Sequence, residues 1–156
     1  MNLFLYLHTQ NLLINVYIGD IIYIDNLQMD EKVKYEMEFP IHASSSLLYQ
    51  YISTPSGLSE WYADNVNSRG ELFKFIWDGA EEQAKLLTKK SGERIKFRWL
   101  EDEGESYYFE IRIQVDEITK DVSIMITDFA EEDEIEEGKM LWENQISDLK
   151  QVLGSV

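Results

Sequence analysis

Apolar and polar residues alternate with a period of two along six short segments, and the last stretch of the chain changes to the period of a helix. Lys32 to Phe39 sets Val33, Tyr35, Met37 and Phe39 against Lys34, Glu36 and Glu38, the pattern of a half-buried strand with charge on its wet face. Pro40 stops it. Ser44 to Ser46 offers hydroxyl caps to a short helix through Leu47, Leu48, Tyr51 and Ile52. Thr54-Pro55-Ser56-Gly57 is expected to break that helix before a second short turn over Leu58 to Ala63, and Asp64 to Gly70 reads as turn chemistry. Extended segments then follow in close succession. Phe73, Phe75 and Trp77 recur at period two, Asp78-Gly79 turns, Gln83 to Thr88 returns, and Lys90-Ser91-Gly92 turns again. Ile95, Phe97 and Trp99 alternate with Lys96 and Arg98, and a polar hairpin loop follows over Glu101 to Ser106. Phe109, Ile111, Ile113 and Val115 then alternate with Glu110, Arg112 and Gln114, and Thr119-Lys120-Asp121 leads into Val122, Ile124 and Ile126. Six antiparallel neighbours are the simplest arrangement of these strands.

Trp142, Ile146, Leu149 and Leu153 fall at i, i+4, i+7 and i+11, with Leu141, Gln145 and Val152 on the flank, and Gly154 ends the stripe. Such a stripe must be buried, and the concave face of the strand meander is the large apolar surface left to receive it. At about 25 cal/mol per Å², burying four large side chains there is worth several kcal/mol. The expected fold class is α+β: a six-stranded curved antiparallel sheet, two short helices after the first strand, and a long C-terminal helix packed on the concave face.

Met1 to Gln28 departs from this regularity, being rich in Leu, Ile and Tyr with Asp20 and Asp25 as its sole charges. It lacks the basic start and small-residue cleavage site of a secretory signal, and His8, Thr9, Gln10, Asn11, Asn15 and Asp20 interrupt any membrane span. The leading expectation is that residues 29–156 form the domain and that Met29 is the natural start. The alternative is an extension over residues 1–28 that packs on the domain or on a second copy, because so apolar a segment is poorly suited to bare water.

The 156 residues fit one domain, and 44% apolar content with 13% aromatics is ample for a core. A net charge of −16, with the 14 Lys and Arg scattered, repels phosphate backbones and anionic membranes, so neither nucleic acid nor membrane is an expected partner. With no cysteine there is neither a disulfide framework nor a thiolate site, which fits a reducing compartment, the cytoplasm by default.

One strand, two short linked helices, a meander and a long closing helix resembles the START-like or helix-grip superfamily. Thr54-Pro55-Ser56-Gly57-Leu58-Ser59-Glu60-Trp61-Tyr62-Ala63-Asp64 is similar to the second-helix signature of its branch of heat-shock chaperone ATPase activators. Phe75-Ile76-Trp77-Asp78-Gly79, Ile95 to Trp99 and Met140 to Lys150 add weaker agreement. The resemblance implies a cavity between the sheet and the last helix, often used for apolar ligands, and speaks more to fold than to activity.

Trp61, Phe75, Trp77, Phe97, Trp99, Phe109, Trp142 and Ile146 are the candidate ligand-binding residues, since large flat side chains give apolar area while indole N–H groups orient a polar end. The bland alternative is that they are core. His42 with Ser44 to Ser46 is a weak nucleophile-and-base set, lacking a nucleophile elbow and better placed to cap a helix. The acidic run Glu131 to Glu137 lacks an ordered cation loop and suits a helix start, where negative charge complements the dipole. Asp64, Arg69, Asp78, Arg98, Arg112 and Asp128 lie near apolar surfaces, and one of them buried would serve as a general acid or base or anchor a ligand. Arg98 and Arg112 fall on the outer face by alternation. No catalytic residue, metal site or cofactor is assigned. Three functions follow: binding of a small hydrophobic ligand under the C-terminal helix, a protein-interaction or co-chaperone-like module, and a polyketide-cyclase-like or hydrolytic enzyme.

Overall fold

Seven strands hydrogen-bond into one open sheet in the order β1-β7-β6-β5-β4-β3-β2, in a computed structural model that describes residues 31–155. The expectations for residues 1–28 therefore lie outside the described residues. The strands are β1 (Val33–Ile41), β2 (Asn65–Arg69), β3 (Leu72–Trp77), β4 (Ala80–Lys90), β5 (Arg94–Trp99), β6 (Phe109–Val115) and β7 (Val122–Ala130). From β2 to β7 every consecutive pair is antiparallel. The first strand of the chain sits beside the last, so the meander starts at the opposite edge.

β1 runs through Pro40 to Ile41 rather than stopping at the proline, and two further expectations are corrected. The sheet has seven strands rather than six, because Asn65–Arg69, expected as a turn, is an edge strand paired with β3 from Asn65↔Ile76 to Arg69↔Leu72. Val66 is its one buried residue, so its place is secured by backbone pairing rather than by a hydrophobic face. The second correction concerns the helices. α1 (Ser45–Ser53) has the Ser44 hydroxyl as its cap, but α2 spans Pro55–Leu58, beginning inside the Thr54–Gly57 segment expected to be a breaker and ending where the second turn was expected to start. The Thr54 hydroxyl accepts from Gly57 N at 2.9 Å, and Pro55 occupies the first turn, where its missing N–H costs nothing. Gly57 is needed because a Cβ there would meet the Gln50 carbonyl and the Tyr51 backbone.

The long helix α3 (Ile135–Leu153) begins with Glu136 and Glu137 in its first turn and ends at Gly154, whose left-handed φ of 68° lets its N–H bond back into the last turn. Its buried residues are Trp142, Ile146 and Leu149, as the stripe required. They join one core with Phe73 and Phe75 of β3, Ile95 and Phe97 of β5, Phe109, Ile111 and Ile113 of β6, and Ile124 and Ile126 of β7. Strand registry puts all of these on the same face of the sheet, and Arg98 and Arg112, one position out of phase, on the other. At the far end of the chain His42 N donates to Ser155 Oγ at 2.6 Å, fastening the helix terminus to the end of β1. No helix among the described residues is long and apolar enough to cross a membrane.

Candidate functional site

The inner face of the sheet is filled along its middle and open at one end. Phe75, Phe97 and Phe109 are sealed, with Phe97 stacked on Phe109 at 5.2 Å and edge-on to Phe75 at 5.7 Å. One step further along the same rows, Trp77 at the end of β3 and Trp99 at the end of β5 are only half-buried. Together with Trp142 of α3 they border a cleft of about 380 Å³, completed by Tyr35, Tyr62, Glu82, Asp128, Gly138, Leu141 and Gln145. That volume lies at the small end of the range for ligand pockets, about 300–1,000 Å³.

Of the eight residues expected to line a cavity, three do so: Trp77, Trp99 and Trp142. Phe75, Phe97, Phe109 and Ile146 form the packed floor beneath, where Phe75 lies 5.9 Å from Trp77 and Phe109 lies 4.9 Å from Trp99. Trp61 is outside the cleft: its Nε1 donates to Tyr51 O at 3.0 Å, and it borders an adjoining groove of about 680 Å³ along Ser59–Asp64 and α3, which shares Tyr62, Trp77, Leu141 and Gln145 with the cleft. Alternation separates the two faces of each strand but says neither which face turns inward nor where along the strand the packing opens.

Two turns of chemistry hold the cleft in shape. Tyr62, in the turn after α2, lies between sheet and helix, with its ring 5.5 Å from Trp77, 5.9 Å from Phe109 and 5.6 Å from Trp142. Its backbone carbonyl accepts from Trp77 Nε1 at 2.8 Å and from Gln145 Nε2 at 3.1 Å, so one oxygen ties β3 to α3. On the other wall Asp128 Oδ2 accepts from Trp142 Nε1 at 2.8 Å and from Tyr35 Oη at 3.4 Å, while Oδ1 accepts from Phe129 N. A hydrogen bond to a charged group of this kind is worth about 1.5–3 kcal/mol. Gly138 completes this wall: a Cβ there would stand 2.6 Å from Tyr35 Oη, so only glycine lets the phenol reach past the helix.

Burial, and then the charge of Asp128, push the Tyr35 phenol far above the usual tyrosine range. Tyr62 is pushed up in the same way, by burial first and then by the charges of Asp128 and Glu82. Both hydroxyls keep their protons near neutral pH, and that of Tyr35 donates to Asp128. Asp128, one of six charges singled out near apolar surfaces, is in the cleft wall; the signal was its place after Ile124 and Ile126 on the inner row of β7. Glu82 stands opposite Phe75 in the β3–β4 register and so belongs to the inner face too, a placement that the neighbouring Glu81 obscured in the sequence. His42 and the Ser44–Ser46 hydroxyls lie away from the cleft, with Ser44 capping α1. The acidic residues Glu132–Glu134 form a single 3₁₀ turn leading into α3, and no group able to hold a metal ion occurs among the described residues.

An open antiparallel sheet whose inner face is closed by a long terminal helix defines a small α+β class of domain. The START-like superfamily domain model matches residues 29–155, and the chain belongs to that superfamily. BfR322 from Bacteroides fragilis, solved by solution NMR, is 37% identical, with 78% of this chain and 91% of that chain covered and a TM-score of 0.57. The Aha1 dimer from Colwellia psychrerythraea is similar in fold at 18% identity and a TM-score of 0.66, covering 78% of this chain and 96% of that one. ChR145 from Cytophaga hutchinsonii gives a TM-score of 0.61 at 17% identity, over 81% of this chain and 97% of the other. No curated protein sequence matches the chain.

Proposed function

We propose that this domain is a noncatalytic binding module that takes a small, largely apolar ligand into the cleft between the sheet and α3. The observation that carries this reading is the set of five aromatic rings, those of Tyr35, Tyr62, Trp77, Trp99 and Trp142, around an open volume of about 380 Å³. Aromatic walls supply apolar contact area on rigid side chains, so little conformational entropy is lost when a ligand enters. Membership of a superfamily whose members bind hydrophobic ligands or proteins supports the same reading. Native mass spectrometry of the purified protein, followed by thermal-shift titration with small aromatic and aliphatic compounds, tests it. A stoichiometric ligand whose binding is lost in Trp99→Ala supports the proposal; ligands that bind Trp99→Ala as well as the parent protein exclude the cleft.

A second reading has its own observation. Met140 and Leu141 on α3 are 62% and 59% exposed, and Leu141 forms part of the cleft mouth. Such a ridge fits a protein contact, and the Colwellia relative was solved as a dimer. Light scattering of the parent protein and of Met140→Glu/Leu141→Glu separates the two: a change in mass favours association, and unchanged monomers leave the ridge as the rim of the ligand site.

A further inference from the structure

The cleft has a charge character that its aromatic walls alone do not convey. Among the described residues that border it there are two carboxylates, Glu82 and Asp128, and no Lys, Arg or His. Two of its three indole donors are already committed inside the protein, Trp77 Nε1 to the Tyr62 carbonyl and Trp142 Nε1 to Asp128. Gln145 likewise donates to the Tyr62 carbonyl. Tyr35 directs its hydroxyl to Asp128 as well. A ligand therefore meets ring faces and carboxylate oxygens, and the Trp99 indole and the Tyr62 hydroxyl are the main donors left to receive a negative group.

Each class of ligand fares differently in such a site. An anion such as a fatty acid would lose its hydration, face two like charges and find little to replace its lost hydrogen bonds, a combination that is costly at low dielectric. A neutral apolar molecule would gain contact area but nothing from the charges. A cation attached to an apolar body gains from both, because ammonium groups are attracted to the faces of Trp and Tyr rings and the carboxylates offset their desolvation. Burial first, and then the charges of Asp128 and Glu82, push the Tyr62 phenol up, so both carboxylates lie close enough to act on the same side of the cleft.

We propose, building on the ligand-binding reading above, that the ligand is an organic cation, an apolar amine or quaternary ammonium whose charged head sits between Glu82, Asp128 and the ring faces of Trp77 and Trp99. Glu82 is the selectivity-determining residue at the rim, since it is exposed and among the described residues takes part in no ion pair. Asp128 is both structural and electrostatic, holding Trp142 while contributing charge.

Three probes of nearly the same shape separate the alternatives: benzyltrimethylammonium, its neutral isostere neopentylbenzene, and the anion phenylmethanesulfonate. Their affinities are measured by tryptophan fluorescence and calorimetric titration of the full chain and of Glu82→Gln. The cation is expected to bind at least about tenfold tighter than the neutral isostere, as cation–π attraction at a desolvated site allows, with no binding of the anion. Glu82→Gln, with its thermal melting checked against the parent, should lower cation affinity severalfold and leave the neutral probe unchanged. Equal or tighter binding of the neutral probe, or any preference for the anion, overturns the cation proposal while leaving ligand binding intact. Failure of all three at millimolar concentration overturns both.

Discussion

The middle and the end of the inner sheet face are built from the same row of residues yet do different things. In the middle, Phe75, Phe97 and Phe109 interlock with Ile111, Ile126 and Ile146 and have essentially no accessible surface. At the end, Trp77 and Trp99 continue the same strands, α3 presents Gly138, Leu141 and Gln145 beside Trp142, and the gap stays open. Burial in the middle is apolar throughout, whereas the end is organised by hydrogen bonds to two oxygens, the Tyr62 carbonyl and the Asp128 carboxylate. Stability thus belongs to one stretch of the row and, on the proposed function, recognition to the next, and a single aromatic step divides them.

Substitutions along one strand break or sharpen that division most strongly. Phe97→Ala should cost about 3–5 kcal/mol in urea unfolding, since it leaves a cavity in a sealed core. Trp99→Ala, two residues on and half-buried, should cost less than half as much while removing a cleft wall. Equal losses at the two positions would erase the distinction. Asp128→Ala comes next: it strips the acceptor from Trp142 Nε1 and Tyr35 Oη, and each buried donor left unsatisfied costs about 1–3 kcal/mol. Asp128→Asn, which retains a carbonyl acceptor, should recover part of that loss.

Gly138→Ala should destabilise by about 1–3 kcal/mol, because the added methyl overpacks against Tyr35. In a Tyr35→Phe background the penalty should shrink, as the nearest atom is the phenol oxygen; a double-mutant cycle measures the coupling. The smallest effect is on the alkaline side. Tyr35 and Tyr62 have phenol pKa values raised by burial and by Asp128, so the folded state holds protons that the unfolded chain releases near pH 10. Their contribution is complete below about pH 10 and is lost as pH rises from there through the folded values. Unfolding midpoints of the parent protein should therefore fall above pH 10, and those of Tyr35→Phe should fall less steeply.

How much of this was legible in the sequence depended on whether a residue announced its neighbours. Ile95, Phe97 and Trp99, or Ile124 and Ile126, alternate cleanly, so the strands and their two faces were readable, and the Trp142–Ile146–Leu149 stripe marked the closing helix. Asn65–Arg69 has one apolar residue and no alternation, so a strand held by backbone pairing to β3 looked like a turn. Pro55 looked like a stop because its role as the first residue of α2 depends on the Thr54 hydroxyl reaching Gly57. Depth along the row was invisible: Phe75 and Trp77 obey the same period, yet Phe75 is sealed and Trp77 borders the cleft. Tyr62 was hidden for another reason, since its contribution is a backbone carbonyl and a ring brought in by a turn.

The protein has four tryptophans, and their indole N–H resonances report directly on where a ligand sits. In a ¹H–¹⁵N titration with benzyltrimethylammonium the signals of Trp77, Trp99 and Trp142 should shift together, with that of Trp61 unmoved. Shifts at Trp61 alone, or no indole shift under conditions where binding is saturated, would place the ligand outside the cleft and contradict the account.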